Sequence, residues 1–491
     1  MTLQNLINGE WRPALSGKTY ENRNPANPDD LISQCPASAP EDVQQAVEAA
    51  KRAFDSWRLM PAPRRAEILF RAGQLLIERK ESIAREMTRE MGKVVAEARG
   101  DVQEAIDMAF YAAGEGRRLF GQTTPSELQN KFAMTIRQPL GVCGLITPWN
   151  FPMAIPSWKI FPALVAGNTI VIKPASDTPI SCLRLVEALQ DAGLPPGVLN
   201  LVFGGGGPVG NALIEHPDVR LISFTGSCEV GRQVNERCAP TFKRVSLEMG
   251  GKNAAIIMND ANLDLAVEGL VWGAFGTSGQ RCTATSRIIV QRGIHNELRE
   301  RLVSRINKLK LGYGLDQGID VGPVVNERAM DKILEYIHYG QTHGLDMLTG
   351  GGRDTEAGSG WFIKPTLFDN VSADHKLAQE EIFGPVTCII PVEDLDEAIR
   401  VANGIEFGLS TAIYTRDVNA SFRAMRDLDA GITYVNAPTI GAEVHLPFGG
   451  TKNTGNGHRE AAETGLDIFT EWKTLYIDYS DRLQRAQIDN A

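Results

Sequence analysis

The chain has no apolar run of the ~18 residues that a membrane-spanning helix requires, so no such helix is expected. It has no surplus of positive charge. A formal net charge of −10 and a pI near 5.4 argue against nucleic acid or an anionic membrane as partner, although a local basic pocket stays open. Its seven cysteines (Cys35, Cys143, Cys182, Cys228, Cys238, Cys282 and Cys388) are scattered, odd in number and form no CxxC pair. That excludes a disulfide framework or a zinc site and points to a reducing compartment, the cytoplasm. The seven histidines form no HExxH-like cluster, and no catalytic metal is expected. The start, Met1 to Asn5, lacks the basic and apolar regions of a signal peptide. Internal repeats, low-complexity tracts and linkers are also missing.

What is there is a soluble, globular composition, 43% hydrophobic and 22% charged, and enough length for two to four domains. Residues 41–119 read as helices, with Val43, Val47, Ala50 and Phe54, then Leu69, Ala72 and Leu76, at helical spacing. Residues 121–140 fit an extended hairpin. From 141 strands and helices alternate: strands at Gly141 to Thr147, Thr169 to Lys173, Val198 to Val202 and Val219 to Phe224, with helices after Pro156, from Pro179 to Ala192 and from Asn211 to His216. A second alternating unit follows Gly250-Gly251, with strands at Ala254 to Met258 and Ile288 to Val290 and helices at Leu263 to Ala274 and Leu298 to Leu309. This rhythm predicts two parallel α/β units with a cleft between them. Phe469 to Tyr479 again looks extended and would pair with 121–140 as a small third module.

Several loops carry candidate chemistry, each beside an ordinary alternative. Gly205 to Gly210 satisfies GxGxxG between a strand and a helix, making Gly207 and Gly210 candidate dinucleotide contacts, but no acidic residue ends a following strand and a run of glycines also makes a plain turn. Phe224-Thr225-Gly226-Ser227 ends a strand and starts a helix, where backbone N–H groups and the Ser227 hydroxyl suit a pyrophosphate; the alternative is a common N-cap. In Thr147-Pro148-Trp149-Asn150-Phe151-Pro152 two prolines fix the backbone, so Asn150 is either a rigid oxyanion donor or a turn residue. Lys173, at a strand end, either reaches ribose hydroxyls or phosphate or is simply solvated.

Cys282, in Gly279-Gln280-Arg281-Cys282, and Glu248, in Leu247-Glu248-Met249-Gly250-Gly251, read separately as a buried small side chain and a surface carboxylate. Taken together they suit covalent oxidation of an aldehyde: the thiol attacks, a cofactor takes hydride, and the carboxylate recruits water. A carboxylate fixed against the thiol would raise its pKa above the ordinary ~8.5, so Glu248 is expected to move.

The motifs occur in an order that resembles the aldehyde dehydrogenase superfamily from Leu6 to Tyr479: Trp149-Asn150-Phe151-Pro152, Lys173-Pro174-Ala175, Phe224-Thr225-Gly226-Ser227, Glu248 to Lys252, Gly279 to Cys282, Glu380 to Val386 and Pro447 to Gly450. The resemblance implies an α/β fold with two Rossmann-like parallel-sheet domains and a small β oligomerisation arm. Its domains would be 1–120 with 141–250 for the dinucleotide, 251–450 for catalysis, and 121–140 with 451–491 for assembly into a homodimer or homotetramer. It implies Cys282 as nucleophile, Asn150 and the Cys282 N–H as oxyanion donors, and Glu248 as hydrolytic base. Cofactor contacts would be Thr147, Pro148, Trp149, Lys173, Ser176, Gly207, Gly210, Phe224, Ser227, Gly250, Glu381 and Phe383.

Ser176 stands three residues after Lys173, where NAD-preferring relatives often carry Glu. Without that carboxylate a 2′-phosphate is not repelled, so NADP is expected to be accepted alongside NAD. Glu248 favours a free acid over a CoA thioester. The substrate is expected to be a carboxylate-bearing semialdehyde, as in the 2-oxoglutarate semialdehyde branch. Succinate-semialdehyde dehydrogenases commonly carry Arg where this chain has Trp158, which leaves Arg281 and His445 as substitute anchors, Arg281 reading equally as a structural ion-pair partner. Thr283 completes the substrate contacts, and Ile155 with Trp158 would instead floor a pocket for an aromatic aldehyde. Also compatible with this pattern are a CoA-acylating semialdehyde dehydrogenase and a non-enzymatic protein on the same fold.

Overall fold

The structure is a computed structural model that describes residues 1–489. Five short apolar segments, mostly buried along their length, pair in parallel in the spatial order Arg244–Glu248, Val219–Thr225, Val142–Ile146, Thr169–Lys173, Leu199–Leu201. Such unbroken burial is what a sheet covered by helices on both faces demands. The hairpin Asn5–Ile7 and Glu10–Arg12 extends this sheet antiparallel beside Leu199–Leu201. The chain runs outward from Val142–Ile146 in one direction, then returns to lay Val219–Thr225 on its other side. That reversal opens a crevice beyond the carboxyl ends of these two strands, the usual place for a ligand in an open α/β sheet.

The second sheet also has seven strands, in the order Asp346–Thr349, Thr366–Asp369, Val386–Val392, Thr285–Gln291, Asn253–Ile257, Ser410–Tyr414, Ile432–Val435, all parallel except the first pair. Loops entering the amino ends of its central strands carry Gly250, Cys282 and Glu381 towards the crevice of the first sheet. Apart from both, Lys131–Pro139 pairs with Thr123–Pro125 and, over nine residues, with Thr470–Asp478, forming the β arm.

Residues 41–119 form three helices, Pro40–Leu59, Ala62–Met91 and Val95–Glu115. The second stops at Gly92, whose φ of 95° closes it in the left-handed region. The helix expected after Pro156 begins at Ala154, because a proline in the first turn removes an N–H that has no helical partner there. Phe469 closes a short helix, Thr464–Phe469, instead of opening the last strand. Of residues 451–489, only Thr470–Asp478 belongs to the arm's sheet; Leu466, Ile468 and Phe469 sit in the core of the first body with Phe161 and Leu164. The GxGxxG segment is a single wide turn, Gly206–Gly210, running into Asn211–Glu215.

Candidate active site

The crevice and the facing loops enclose a cavity of about 680 Å³ walled by Trp149, Asn150, Ser227, Gly250, Cys282 and Glu381. Each comes from a loop held by its own partners. Cys282 follows a tight turn in which Thr277 and Ser278 adopt φ of 52° and 56°. Non-glycine residues persist there only when their surroundings over-determine them. Here Glu97 accepts the Thr277 N–H at 2.9 Å, the Ser278 hydroxyl donates to Gly322 O at 2.7 Å, and Gln280 Oε1 accepts the Val325 N–H at 2.9 Å. Beyond the thiol, Asn253 Nδ2 donates to the Cys282 carbonyl at 2.7 Å.

The thiol is weakly acidic in this resting arrangement. Burial, followed by the Glu381 and Glu248 carboxylates, pushes it up to about 12, against the N–H groups of Thr283 and Cys282. At neutral pH Cys282 is therefore a thiol, and a thiol in this state would need a proton acceptor to act as a nucleophile. Alkylation of Cys282 by iodoacetamide, followed on its peptide by mass spectrometry, is expected to quicken about tenfold per pH unit from pH 7 to pH 10. A rate flat across that range would mean the thiolate is already formed.

Asn150 is 3% exposed, and its Nδ2 donates to Gln280 O at 3.1 Å, on the Cys282 loop. Its own carbonyl accepts Lys93 Nζ at 2.7 Å. Lys93 is paired with Asp101 at 2.9 Å, both side chains fully buried, and Asp101 in turn accepts the Ala154 N–H at 2.7 Å. Breaking such a pair would strand a buried charge at a cost of about 3–5 kcal/mol. The backbone at Asn150 is thus fixed from behind, and its amide is aimed at the nucleophile's loop.

Glu248 ends the strand Arg244–Glu248, and both its carboxylate oxygens are buried without a hydrogen-bond partner. Burial, then the neighbouring Glu460 carboxylate, raises its pKa well above the usual range, against Lys159 and Arg459. Lys159 itself is tied to Glu460 and donates to the Ser223 hydroxyl at 2.9 Å. A Cβ on Gly449 would come within 2.6 Å of Glu248 Oε1, so glycine there leaves room for the side chain. Glu248 is near enough to raise the thiol's pKa but does not wall the cavity. It rests beside the Lys159–Glu460 pair, off the cavity wall, with its pKa raised chiefly by burial.

The cleft fits a dinucleotide. Glu381 accepts the Gly251 N–H at 2.9 Å, and a side chain at Gly250 would collide with the Glu381 carboxylate. Phe383, at φ 60°, sets its ring edge against Trp149, centroids 5.4 Å apart. Ser227 caps the helix Cys228–Cys238, accepting the Val230 N–H at 3.4 Å, so the remaining first-turn N–H groups face the crevice. Lys173 is buried, donates to Pro174 O at 2.8 Å, and is pulled down to about 8 by burial. Ser176 Oγ donates to Gly204 O at 3.2 Å, and Asp177, the next residue, reaches the cavity wall.

The other residues named from the sequence divide between the cavity wall and its surroundings. Phe224 is a core side chain packed with Val209 and Leu213, and Thr147 is buried at its strand's end, so neither reaches the cavity. Gly207 is exposed on the turn, while Gly210 is buried beside Lys173. Pro148 and Ile155 wall the cavity. Trp158 lies beneath, its ring 4.8 Å from Phe448, and the Thr283 carbonyl accepts the Thr439 hydroxyl at 2.7 Å. The Arg281 guanidinium takes the ion-pair alternative in this structure: it is bound to Glu97 at 2.8 Å and to Thr277 at 3.0 Å, and stacks over Phe151. His445 is exposed, 3.4 Å from Glu443. Sequence reasoning missed Lys93, Asp101, Glu97, Lys159 and Glu460. The charges in the otherwise apolar segment Ala154–Ala166 and in the helix Val95–Glu115 hinted at Lys159, Glu97 and Asp101, and nothing local marked Lys93 or Glu460.

A half-buried thiol, an anchored amide donor and a buried carboxylate beside the crevice are the set of groups that oxidation through a covalent thioester needs. The comparisons with known proteins agree. Residues 11–475 match the model of the aldehyde dehydrogenase family. Alpha-ketoglutaric semialdehyde dehydrogenase of Bacillus subtilis is 41% identical over 97% of this chain and 98% of its own length. Succinate-semialdehyde dehydrogenase [NADP(+)] of Escherichia coli is 42% identical over 96% and 97%. The crystal structure of an NAD-dependent aldehyde dehydrogenase from Sinorhizobium meliloti superposes with a TM-score of 0.96 at 36% identity, covering 99% of this chain and 96% of that one. The chain belongs to the aldehyde dehydrogenase family, the NAD(P)-linked oxidoreductases that convert aldehydes to acids.

Proposed function

We propose that this enzyme oxidises a carboxylate-bearing semialdehyde to the free acid, with NAD or NADP as hydride acceptor. The observation that carries the release of a free acid is the buried, unpartnered Glu248 next to Cys282. Cys282 Sγ adds to the aldehyde carbon, and the resulting oxyanion sits between Asn150 Nδ2 and the Cys282 N–H. Ser227, Lys173 and Glu381 would hold the nicotinamide cofactor, which would supply the hydride acceptor for this oxidation, and Cys282 then carries the acyl group as a thioester. Glu248, swung towards the thioester and ionised, takes a proton from water as it attacks, and the carbon–sulfur bond breaks to free the acid and the thiol.

The substrate class is supported by the relatives, which act on semialdehydes by name. Ser176, with no carboxylate at its position, supports NADP alongside NAD. On this reading the dinucleotide belongs to 1–120 with 141–250, the nucleophile to 251–450, and assembly to 121–140 with 451–491. The arm's outer strand exposes Trp472 and Tyr476, which supports assembly into a homodimer or homotetramer. Seven free cysteines support a cytoplasmic setting. No helix among the described residues is long and apolar enough to cross a membrane.

The test is reduced-cofactor formation on a panel of semialdehydes and aromatic aldehydes, with each cofactor and without CoA. Five- or four-carbon dicarboxylic semialdehydes far ahead of benzaldehyde are the expected result. An aromatic winner would move recognition to Trp158 and Ile155, and turnover only with CoA would remove Glu248 as hydrolytic base.

A further inference from the structure

One wall of the cleft is the helix Glu327–Thr342, contributed by the second body. Its N-cap, Asn326, donates through Nδ2 to Asp177 Oδ1 at 2.8 Å. That contact pins the helix start to the first body, four residues past Lys173. Further along the same wall, Lys332 Nζ donates to the Glu381 carbonyl at 3.2 Å. The helix therefore runs from the Lys173–Ser176 end of the cleft to the Glu381 end, the two ends that would hold the cofactor on the proposed reading. Between these two points lies Arg328. It faces the same cavity as Ser227 and, one helical turn before Lys332, shares its side of the helix.

The charge balance of the cleft singles this residue out. Among the described residues that wall it, Asp177, Asp331, Glu335 and Glu381 are acidic, and only Arg328 and Lys332 are basic. A dinucleotide brings at least two further negative charges. Lys332 is engaged at Glu381, and Lys173, outside this wall, donates to its neighbour's carbonyl. Among the described residues Arg328 finds no ion pair, hydrogen bond or ring contact, whereas most arginines of the chain do. We propose that Arg328 binds a phosphate group of the dinucleotide from the catalytic-side wall, opposite the helix start at Ser227. A guanidinium fork matches two phosphate oxygens at once, which a lysine in its place does not. The inference rests on the nicotinamide-cofactor reading and adds to it a ligand from the other wall of the cleft.

Titration calorimetry of the full-length protein with NAD and with NADP, for the native chain and for Arg328→Gln and Arg328→Lys, tests it. Arg328→Gln is expected to weaken binding about tenfold, with Arg328→Lys between, and the loss should shrink in high salt. An equal loss for both cofactors assigns the contact to the shared diphosphate; a loss confined to NADP assigns it to the 2′-phosphate. Native affinity for both cofactors in Arg328→Gln would overturn the proposal. Failure of the native chain to bind either cofactor would instead overturn the nicotinamide reading itself.

Discussion

Glu248→Gln is expected to yield about one equivalent of reduced cofactor per subunit in a rapid first turnover and then nearly stop, with steady-state turnover down about 10²–10⁴-fold. Glutamine keeps the shape of the side chain, which already rests without a hydrogen-bond partner, so the fold loses little. What it cannot do is take a proton from water, so the thioester accumulates. Hydroxylamine, a nucleophile that needs no such base, should restore turnover by cleaving the thioester. The native enzyme carries the same signature in its pH profile. The Glu248 pKa is raised, so the ionised base grows as pH rises, and thioester hydrolysis should quicken towards alkaline pH. Loss of the first turnover itself would show that Glu248 acts earlier, as the proton acceptor for Cys282.

Asn150→Ala is expected to lower turnover about 10²–10³-fold, the usual cost of one oxyanion donor, while leaving cofactor affinity intact. The amide is suited to the task because its position is set before the substrate arrives: Lys93 holds the backbone at 2.7 Å and Gln280 O holds Nδ2 at 3.1 Å. When the oxyanion forms, the donor exchanges one acceptor for a charged one without reorganising the loop. Cofactor binding by calorimetry and steady-state kinetics together separate this role from a structural one. Unchanged turnover would remove Asn150 from the chemistry.

Much of the α/β pattern could be read from the chain because burial on both faces leaves uninterrupted apolar runs. Thr169 to Lys173 was legible to the residue, and Val142–Ile146 and Asn253–Ile257 to within one or two. The strand at 121–140 and its partner after Phe469 were legible as extended segments, though 330 residues separate Arg137 from Asp467, which now pair beside that seam. Helix ends were less legible. Ala154–Ala166 starts before Pro156 and carries Pro162 within it, because complete burial against three other helices outweighs a lost backbone bond.

For the site, the sequence by itself named the candidate reacting groups. Cys282, Glu248 and Asn150 stand in glycine- and proline-rich turns, where a backbone can come close to a substrate, and their chemistry depends on residue type. The tertiary structure alone decided which neighbours govern them. The resting partner of Arg281 was set only when the fold brought Glu97, 184 positions away, against it. Phe224 stood in a cofactor motif until packing turned it into the core. The raised pKa values of Cys282 and Glu248, and the Lys93–Asp101 and Lys159–Glu460 pairs behind them, arise from groups distant in sequence sharing a volume without water. Burial and Coulomb interaction depend on distance in space, and local sequence pattern carries almost no record of that.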